Sequence, residues 1–457
     1  MAGEWLLHKV NDLIEDGALV VGDGYRAKNS ELTNTGLPFA RAGNINAGFL
    51  FDDADCFPVE NLNRVGNKVS QPGDVVFTSK GTVGRFGFVR PDTPQFVYSP
   101  QLCYWRVVDR TLIDPRFLSF WMSGREFFIQ FKGVSGQTDM AEYVSLTDQR
   151  RMHITLPPVA EQRAIAHILG TLDDKIELNR RMNETLEAMA RALFKSWFVD
   201  FDPVRAKHAL SKVEGAEGRP STSSGQAFPG LPKPLADLFP ASFEDSEMGE
   251  IPKGWLARPL YETARFINGA AFTSEDFCTP GEGLPVVKIA ELKDGLSKQT
   301  KFSQRVADTG HLIDTGDLLY SWSGSPDTSL DAFVWTKGPG LLNQHIFKVV
   351  APSAAQKRFV YYLLKFLRPN LVEIARNKQT TGLGHVTIAD MKRLQVCWPP
   401  KAVLAAFDRQ VIPIFYRTFN NVLESQNLAA LRDTLLPKLL SGEVHVNQEQ
   451  KIVEEAS

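Results

Sequence analysis

The chain has 457 residues, 43% of them hydrophobic and 23% charged, with a formal net charge of −2. That length suits two or three domains, and the composition is that of globular protein, not of a disordered or fibrous chain. The near-zero charge excludes a chain-wide basic field for nucleic acid, so any such contact must come from local patches.

No apolar run reaches the roughly 18 to 20 residues that a membrane span needs. The opening stretch, MAGEWLLHKVNDLIEDG, carries no secretory pattern. Cys56, Cys103, Cys278 and Cys397 are scattered without a CxxC pair. They read as small buried apolar residues in a reducing cytoplasm, not as metal ligands.

In chain order, residues 1–155 carry short β-prone runs bounded by turn residues, at Asp74–Thr78, Phe86–Val89 and Leu102–Val108, then a helical pattern over Pro115–Phe131. This predicts a mixed α/β domain with a strongly twisted sheet. Pro157-Pro158 then stops the chain. The stretch 156–205 that follows places Ile165, Ile168, Leu172, Ile176, Met182, Leu186, Met189 and Leu193 at steps of three and four, with one longer gap before Met182. It predicts a helix of roughly 60 Å with a coiled-coil-like stripe. Residues 206–250, rich in Ser, Gly, Pro and acids, read as a linker, with Leu235, Leu238, Phe239 and Phe243 as anchors that pack part of it down. A second α/β unit is expected over 251–398, with runs at Leu318–Trp322 and Ile346–Val350 and a helix over Ser353–Asn377. A second long helix spans 399–445, and a polar tail covers 446–457.

The second half echoes the first. Placing Pro157-Pro158 on Pro399-Pro400 brings Gln137-Thr138 onto Gln379-Thr380, Val144 onto Val386, Asp148 onto Asp390, Arg151 onto Arg393, Asn179 onto Asn421, Leu186 onto Leu428 and Leu193 onto Leu435 without a gap. With small gaps, Gly73–Phe77 meets Gly316–Tyr320, Gly36–Phe39 meets Gly283–Val286, and Trp5 meets Trp255. Each half is thus a globular unit followed by one long helix. Tandem copies arrange naturally about a pseudo-two-fold axis, with the long helices antiparallel and the globular heads at opposite ends. Ile165, Leu172, Asn179, Leu186 and Leu193 would then form one seam, and Phe407, Ile414, Asn421, Leu428 and Leu435 the other. The two mid-helix asparagines either meet near the axis, fixing register at a cost in stability, or face solvent. Two separated, non-identical heads suit a bipartite, asymmetric duplex site with half-sites about 34 Å apart.

Catalytic motifs are missing: there is no GxxxxGK[ST], HExxH, GxSxG or helix-opening GxGxxG. The chain is expected to be no catalyst by itself and to bind no cofactor or metal. DNA-compatible residues are present. Thr78, Ser79, Lys80, Thr82 and Arg85 form a Gly-spaced polar loop after a strand, and Ser321, Trp322 and Ser323 stand at the equivalent place. Gln137 and Thr138 recur as Gln379, Thr380 and Thr381; Gln344 and Lys378 complete the candidate set. Lys357, Arg358, Lys365, Arg368, Arg376, Lys378, Lys392 and Arg393 add a local basic excess suited to phosphates. Turn chemistry and solvated helix faces are the bland reading of each of these residues.

The segments LPPVAEQRAIAHILGTLDDKIELNRRMNETLEAMARALFKSWFVDFDPVRAK, FPASFEDSEMGEIPKGW and LLPKLLSGEV resemble those of specificity (S) subunits of Type I restriction–modification systems. The second copy departs from the pattern: PPKAVLAAFDRQV lacks a counterpart of Glu161-Gln162-Arg163, which puts in doubt an equal role for the two helix starts. The resemblance implies two target-recognition domains on an antiparallel helical spacer, reading a bipartite site in double-stranded DNA. It implies two adenine-N6 methyltransferase (M) subunits using S-adenosylmethionine, and restriction (R) subunits using ATP and Mg. Leu178, Met182, Phe194, Trp197 and Phe198, partly off the seam, are then expected to meet M-subunit helices. The alternative is a two-headed protein-binding scaffold without DNA specificity.

Overall fold

One strand topology is built twice. The computed structural model describes residues 5–45, 48–52, 54–80, 84–134, 144–217, 231–305, 310–379 and 382–446. The chain divides into two units, 1–177 with 426–457 and 178–425. In the first, Leu19–Asp23, Leu102–Val107, Val75–Thr78 and Phe86–Phe88 lie in that order in an antiparallel sheet. A smaller sheet sets Leu37–Ala40 between Cys56–Phe57, antiparallel, and Val97–Tyr98, parallel. A ribbon pairs Leu6–Lys9 with His153–Leu156. The second unit repeats all three: Arg265–Asn268, Ile346–Val350, Leu318–Ser321 and Asp331–Val334; then Phe302–Ser303, Leu284–Val287 and Gly340–Leu342, with Leu312–Ile313 added; then Leu256–Pro259 with Gln395–Trp398. The central strands Val75–Thr78 and Leu318–Ser321 are buried along their whole length, which is why they appear in sequence as unbroken apolar runs and not as alternating ones.

Details that look like punctuation in the sequence are structural bonds. Asp148 and Asp390 are the third residues of two short helices, Leu146–Arg151 and Ile388–Arg393, and each completes a capping box with Ser145 or Thr387. Cys103 and Cys397 are buried, and burial pushes the Cys397 thiol up to about 12. Among the described residues no group of His, Cys, Asp or Glu is placed to hold a metal, and no helix is long and apolar enough to cross a membrane.

The long helices are Val159–Phe198 and Lys401–Leu440. They run antiparallel: Asn179 bonds to Glu424 and Ser425, Asn183 to Asn421 and Thr418, and, in the first unit, Arg432 to Asp173. Asn179 and Asn421 are buried, and Asn421 Nδ2 donates to Asn183 Oδ1 at 2.8 Å. The asparagines therefore face the helix pair and not solvent. Of the seam residues, Ile165, Asn179, Phe407 and Asn421 are buried and Leu172, Leu186, Leu193, Ile414, Leu428 and Leu435 half-buried. Such a polar layer costs stability relative to leucine but penalises any other register.

Two expectations are corrected here. Residues 206–250 are not simply a linker. They contain most of a helix, Asp202–Glu217, a turn of helix at Lys233–Ala236, and a hairpin of Phe243–Ser246 with Gly249–Pro252. The anchor reading holds: Phe239 is 1% exposed, inside the core of the second unit, with Leu235, Leu238 and Phe243 packed against that core. Phe201 makes the break from the long helix in the left-handed region at φ 55. That conformation costs a non-glycine residue about 1 kcal/mol, offset by burying its ring against Trp255 and Phe243. Secondly, Phe194, Trp197 and Phe198 are not partner-facing. They are 1%, 2% and 4% exposed, packed on Phe359, Phe407, Phe239 and Trp255. The apolar surface that exceeds one helical seam is covered by the chain's own second unit. Leu178 is exposed, and Met182 is half-buried with its Sδ accepting from Arg417 Nε at 3.3 Å.

Each head is fastened to a long helix by an arginine at the same place in the repeat. Arg116 donates to both carboxylate oxygens of Asp174 (2.7 and 2.9 Å) and to Gly170 O (3.0 Å). Arg358 donates to both oxygens of Asp408 at 2.6 and 2.9 Å. The second pair is buried, so removing one partner would cost about 3–5 kcal/mol. The first has a carboxylate half exposed and is worth about 1 kcal/mol or less. The departure at the helix starts has a matching explanation. Glu161 accepts from Trp5 Nε1 and bonds His445, and buried Gln162 bonds Asp114 N, Leu112 O and Pro157 O. The second copy puts Val403 and Leu404, both buried, where these polar residues stand. One helix start is anchored by hydrogen bonds, the other by apolar packing.

Gly170 is the one glycine of the first long helix, and Arg116 explains it: a Cβ there would lie 2.7 Å from Arg116 Nε. Gly170→Ala should recover about 1 kcal/mol of helix propensity only when Arg116 is also Ala. In the wild-type background the gain should vanish, because the methyl displaces the guanidinium. A urea-denaturation double-mutant cycle checks this, and equal effects in both backgrounds would refute it.

Candidate nucleic-acid interface

In each head three chain segments meet at one end of the large sheet, held by matching backbone bonds. Ser79 N donates to Gln101 O at 2.9 Å and Trp322 N to His345 O at 3.3 Å; Val144 N donates to Ser79 O and Val386 N to Trp322 O. A glycine forms the corner beside them. A Cβ on Gly24 would sit 1.9 Å from Ser99 O, and one on Gly269 2.1 Å from Asn343 O. No other residue lets the backbones approach so closely. The corner is thus a rigid place where the strand end, the loop after the central strand and the turn before the next strand converge.

The predicted residues divide into those presented there and those that are not. Thr78, Ser79 and Ser321 are corrections: they are 0%, 1% and 0% exposed, because the central strand is covered on both faces to its last residue. Thr78 Oγ1 accepts from Arg85 N at 3.0 Å, so its hydroxyl shapes the loop and does not face a ligand. Lys80 and Arg85 are exposed, and Arg85 Nη1 lies within 3.5 Å of Ala42 O and Ile45 O. Trp322 and Ser323 are half-exposed. Gln344 is exposed beside His345. Gln379 is exposed, with Nε2 donating to Gly382 O at 2.7 Å, which is turn chemistry. Thr82, Gln137, Thr138, Thr380 and Thr381 lie outside the described residues.

The local basic excess of the second head is largely spent within the protein. Arg358 is paired with Asp408, Lys365 with Asp331, Arg376 with Asp327 and Lys378 with Asp390, while Lys357 donates to Gly316 O and Arg368 to Leu330 O. The sequence window shows the cations clustered. Three of their carboxylate partners lie outside it, and only folding brings them in. Lys392 and Arg393 remain exposed. Sequence reasoning also missed the corner itself, whose signal was the pair of Gly-bearing strand ends Asp23-Gly24 and Asn268-Gly269.

Asp390 is the best-defined titrating group near this edge. Burial works to raise it, but hydrogen bonds from Lys378 and Thr387 prevail and hold it at about 2. An unfolded aspartate titrates near 3.9, so the charged form stabilises the fold above about pH 4 and that contribution is lost as pH falls towards 2. Asp390→Asn should cost on the order of 2 kcal/mol at pH 7. The difference from wild type should shrink as pH falls from 4 towards 2, measured by urea denaturation across that range.

Residues 4–188 match the family described as the Type I restriction modification DNA specificity domain. The chain is 26% identical over 416 residues to the Type I restriction enzyme HindI specificity subunit of Haemophilus influenzae, covering 84% of this chain and 90% of that one. The Type I restriction enzyme MjaIX specificity subunit of Methanocaldococcus jannaschii is 23% identical, over 83% of this chain and 80% of its own. Over most of its length the chain is thus similar to Type I restriction–modification specificity subunits. Its fold is likewise that of a solved S subunit of such a system from M. genitalium, at a TM-score of 0.53 and 13% identity over 95% and 96% of the two chains. Within this chain, the doubled corner is the place where two copies of one scaffold present different side chains.

Proposed function

We propose that this specificity subunit reads a bipartite, asymmetric site in double-stranded DNA, one half-site per head, and itself contributes no chemistry. The observation that carries this is the doubled topology on antiparallel helices: one reading scaffold, built twice, with different residues at equivalent corners. On this reading 1–155 and 251–398 are target-recognition domains, and 156–205 and 399–445 a spacer that sets the distance between half-sites. Leu178 and Met182 remain candidates for contact with M-subunit helices. Two methyltransferase subunits supply adenine-N6 methylation with S-adenosylmethionine, and restriction subunits supply ATP- and Mg-dependent cleavage, all in the cytoplasm. Lys80 and Arg85 contribute phosphate contacts, with Ser323 and Gln344 as candidate contacts and Trp322 part of the corner at the second head; Gln137, Thr138, Gln379, Thr380 and Thr381 stay candidate contacts on the strength of their recurrence in the sequence.

Methylation sequencing of cells expressing this chain with its M subunit tests the reading. A motif of two unlike half-sites around an unread spacer is the expected result, and no sequence-specific adenine methylation would refute it. In vitro, Lys80→Ala with Arg85→Ala should weaken binding to cognate and random duplexes alike. It should also reduce the slope of log affinity against log salt by about 2, since each lost phosphate contact removes close to one unit.

A further inference from the structure

At the corner of the second head, Asn268 closes the strand Arg265–Asn268 and is exposed. Its Oδ1 accepts a hydrogen bond from Trp322 Nε1 at 3.1 Å. Trp322 is itself fixed: its ring centre lies 5.7 Å from that of buried Phe347, tilted by 31°, and 5.6 Å from that of His345 in an edge-on arrangement. The carboxamide of an exposed Asn ordinarily rotates in solvent, whereas here the indole N–H dictates which end is oxygen. Oδ1 retains a second lone pair, and the Nδ2 donors are directed away from the indole. One acceptor and one donor, side by side on a rigid edge, match the N6 donor and N7 acceptor that adenine presents in the major groove.

The equivalent corner of the first head carries Asp23, held by Lys68 Nζ at 2.7 Å. An aspartate offers acceptors only, so the two heads differ in hydrogen-bonding character at the one place where their backbones are most alike.

We propose that Asn268 discriminates one A·T pair in the half-site read by the second head, with Trp322 as the residue that positions it. This rests on the DNA-reading assignment above. Asn268 makes the base contact; Trp322 acts through it by fixing the carboxamide.

The test uses the complex of the full chain with its M subunit. Competition binding is run against duplexes in which each base pair of both half-sites is replaced in turn. Wild type should show a penalty of roughly 5- to 100-fold at one A·T pair, the span expected for a bidentate contact. Asn268→Ala should abolish that penalty and leave the other half-site unchanged. Trp322→Phe, which keeps the ring but loses the N–H, should shrink the same penalty without altering the others. Asp23→Ala should leave it intact. Retention of every positional penalty in Asn268→Ala, or a uniform loss of affinity at all positions, would overturn the assignment. Absence of any bipartite preference in wild type would instead overturn the DNA-reading function itself.

Discussion

Each unit completes its core with stretches of both long helices, and the rest of the structure depends on that sharing. In the first unit Ile165 and Leu169 from one helix and Leu439 from the other lie in the same cluster as Trp105, Phe117 and Phe127. In the second, Phe194, Trp197 and Phe198 from one helix join Val403, Phe407 and Val411 from the other. An amphipathic helix is held chiefly by packing of its apolar face, not by its own propensity. Here each helix of 40 residues packs into the core of both units as well as on the other long helix.

That arrangement makes the helix pair part of the fold and not an appendage to it. The arginine fasteners reinforce it unequally. The Arg358–Asp408 pair is buried and bidentate, with a high penalty for breaking it, whereas Arg116–Asp174 is half in water and shares Asp174 with Arg90. The same position in the repeat has kept its guanidinium while changing the carboxylate it meets. The polar helix start of the first copy and the apolar one of the second are a similar exchange of one anchor for another.

The two heads show how a doubled scaffold can hold different chemistry. Glycine at 24 and 269 is dictated by backbone approach and has no freedom to vary. Its neighbours differ: Asp23 is half exposed and paired with Lys68, whereas Asn268 is exposed and accepts from Trp322. Rigidity behind and freedom in front is what a reader needs if its register on a ligand is to stay constant while its selectivity changes.

Much of this was written in the linear sequence. The repeat, the two long helices and their antiparallel seam follow from periodicity and punctuation, because a 3.6-residue period and a capping residue are local properties. The meeting of Asn179 and Asn421 was one of two readings, and tertiary packing chose between them. Burial was not legible. Thr78, Ser79 and Ser321 look like loop hydroxyls and lie under both faces of a sheet, and Trp197 and Phe198 look like spare apolar surface and sit in a core. The basic patch was misleading for the same reason: Asp327, Asp331 and Asp408 neutralise it from outside the sequence window. Sequence by itself determined that a globular unit and a long helix occur twice, but not the helix and hairpin between the copies. Only the tertiary structure decided which side chains face outward, because exposure depends on contacts between residues far apart in the chain.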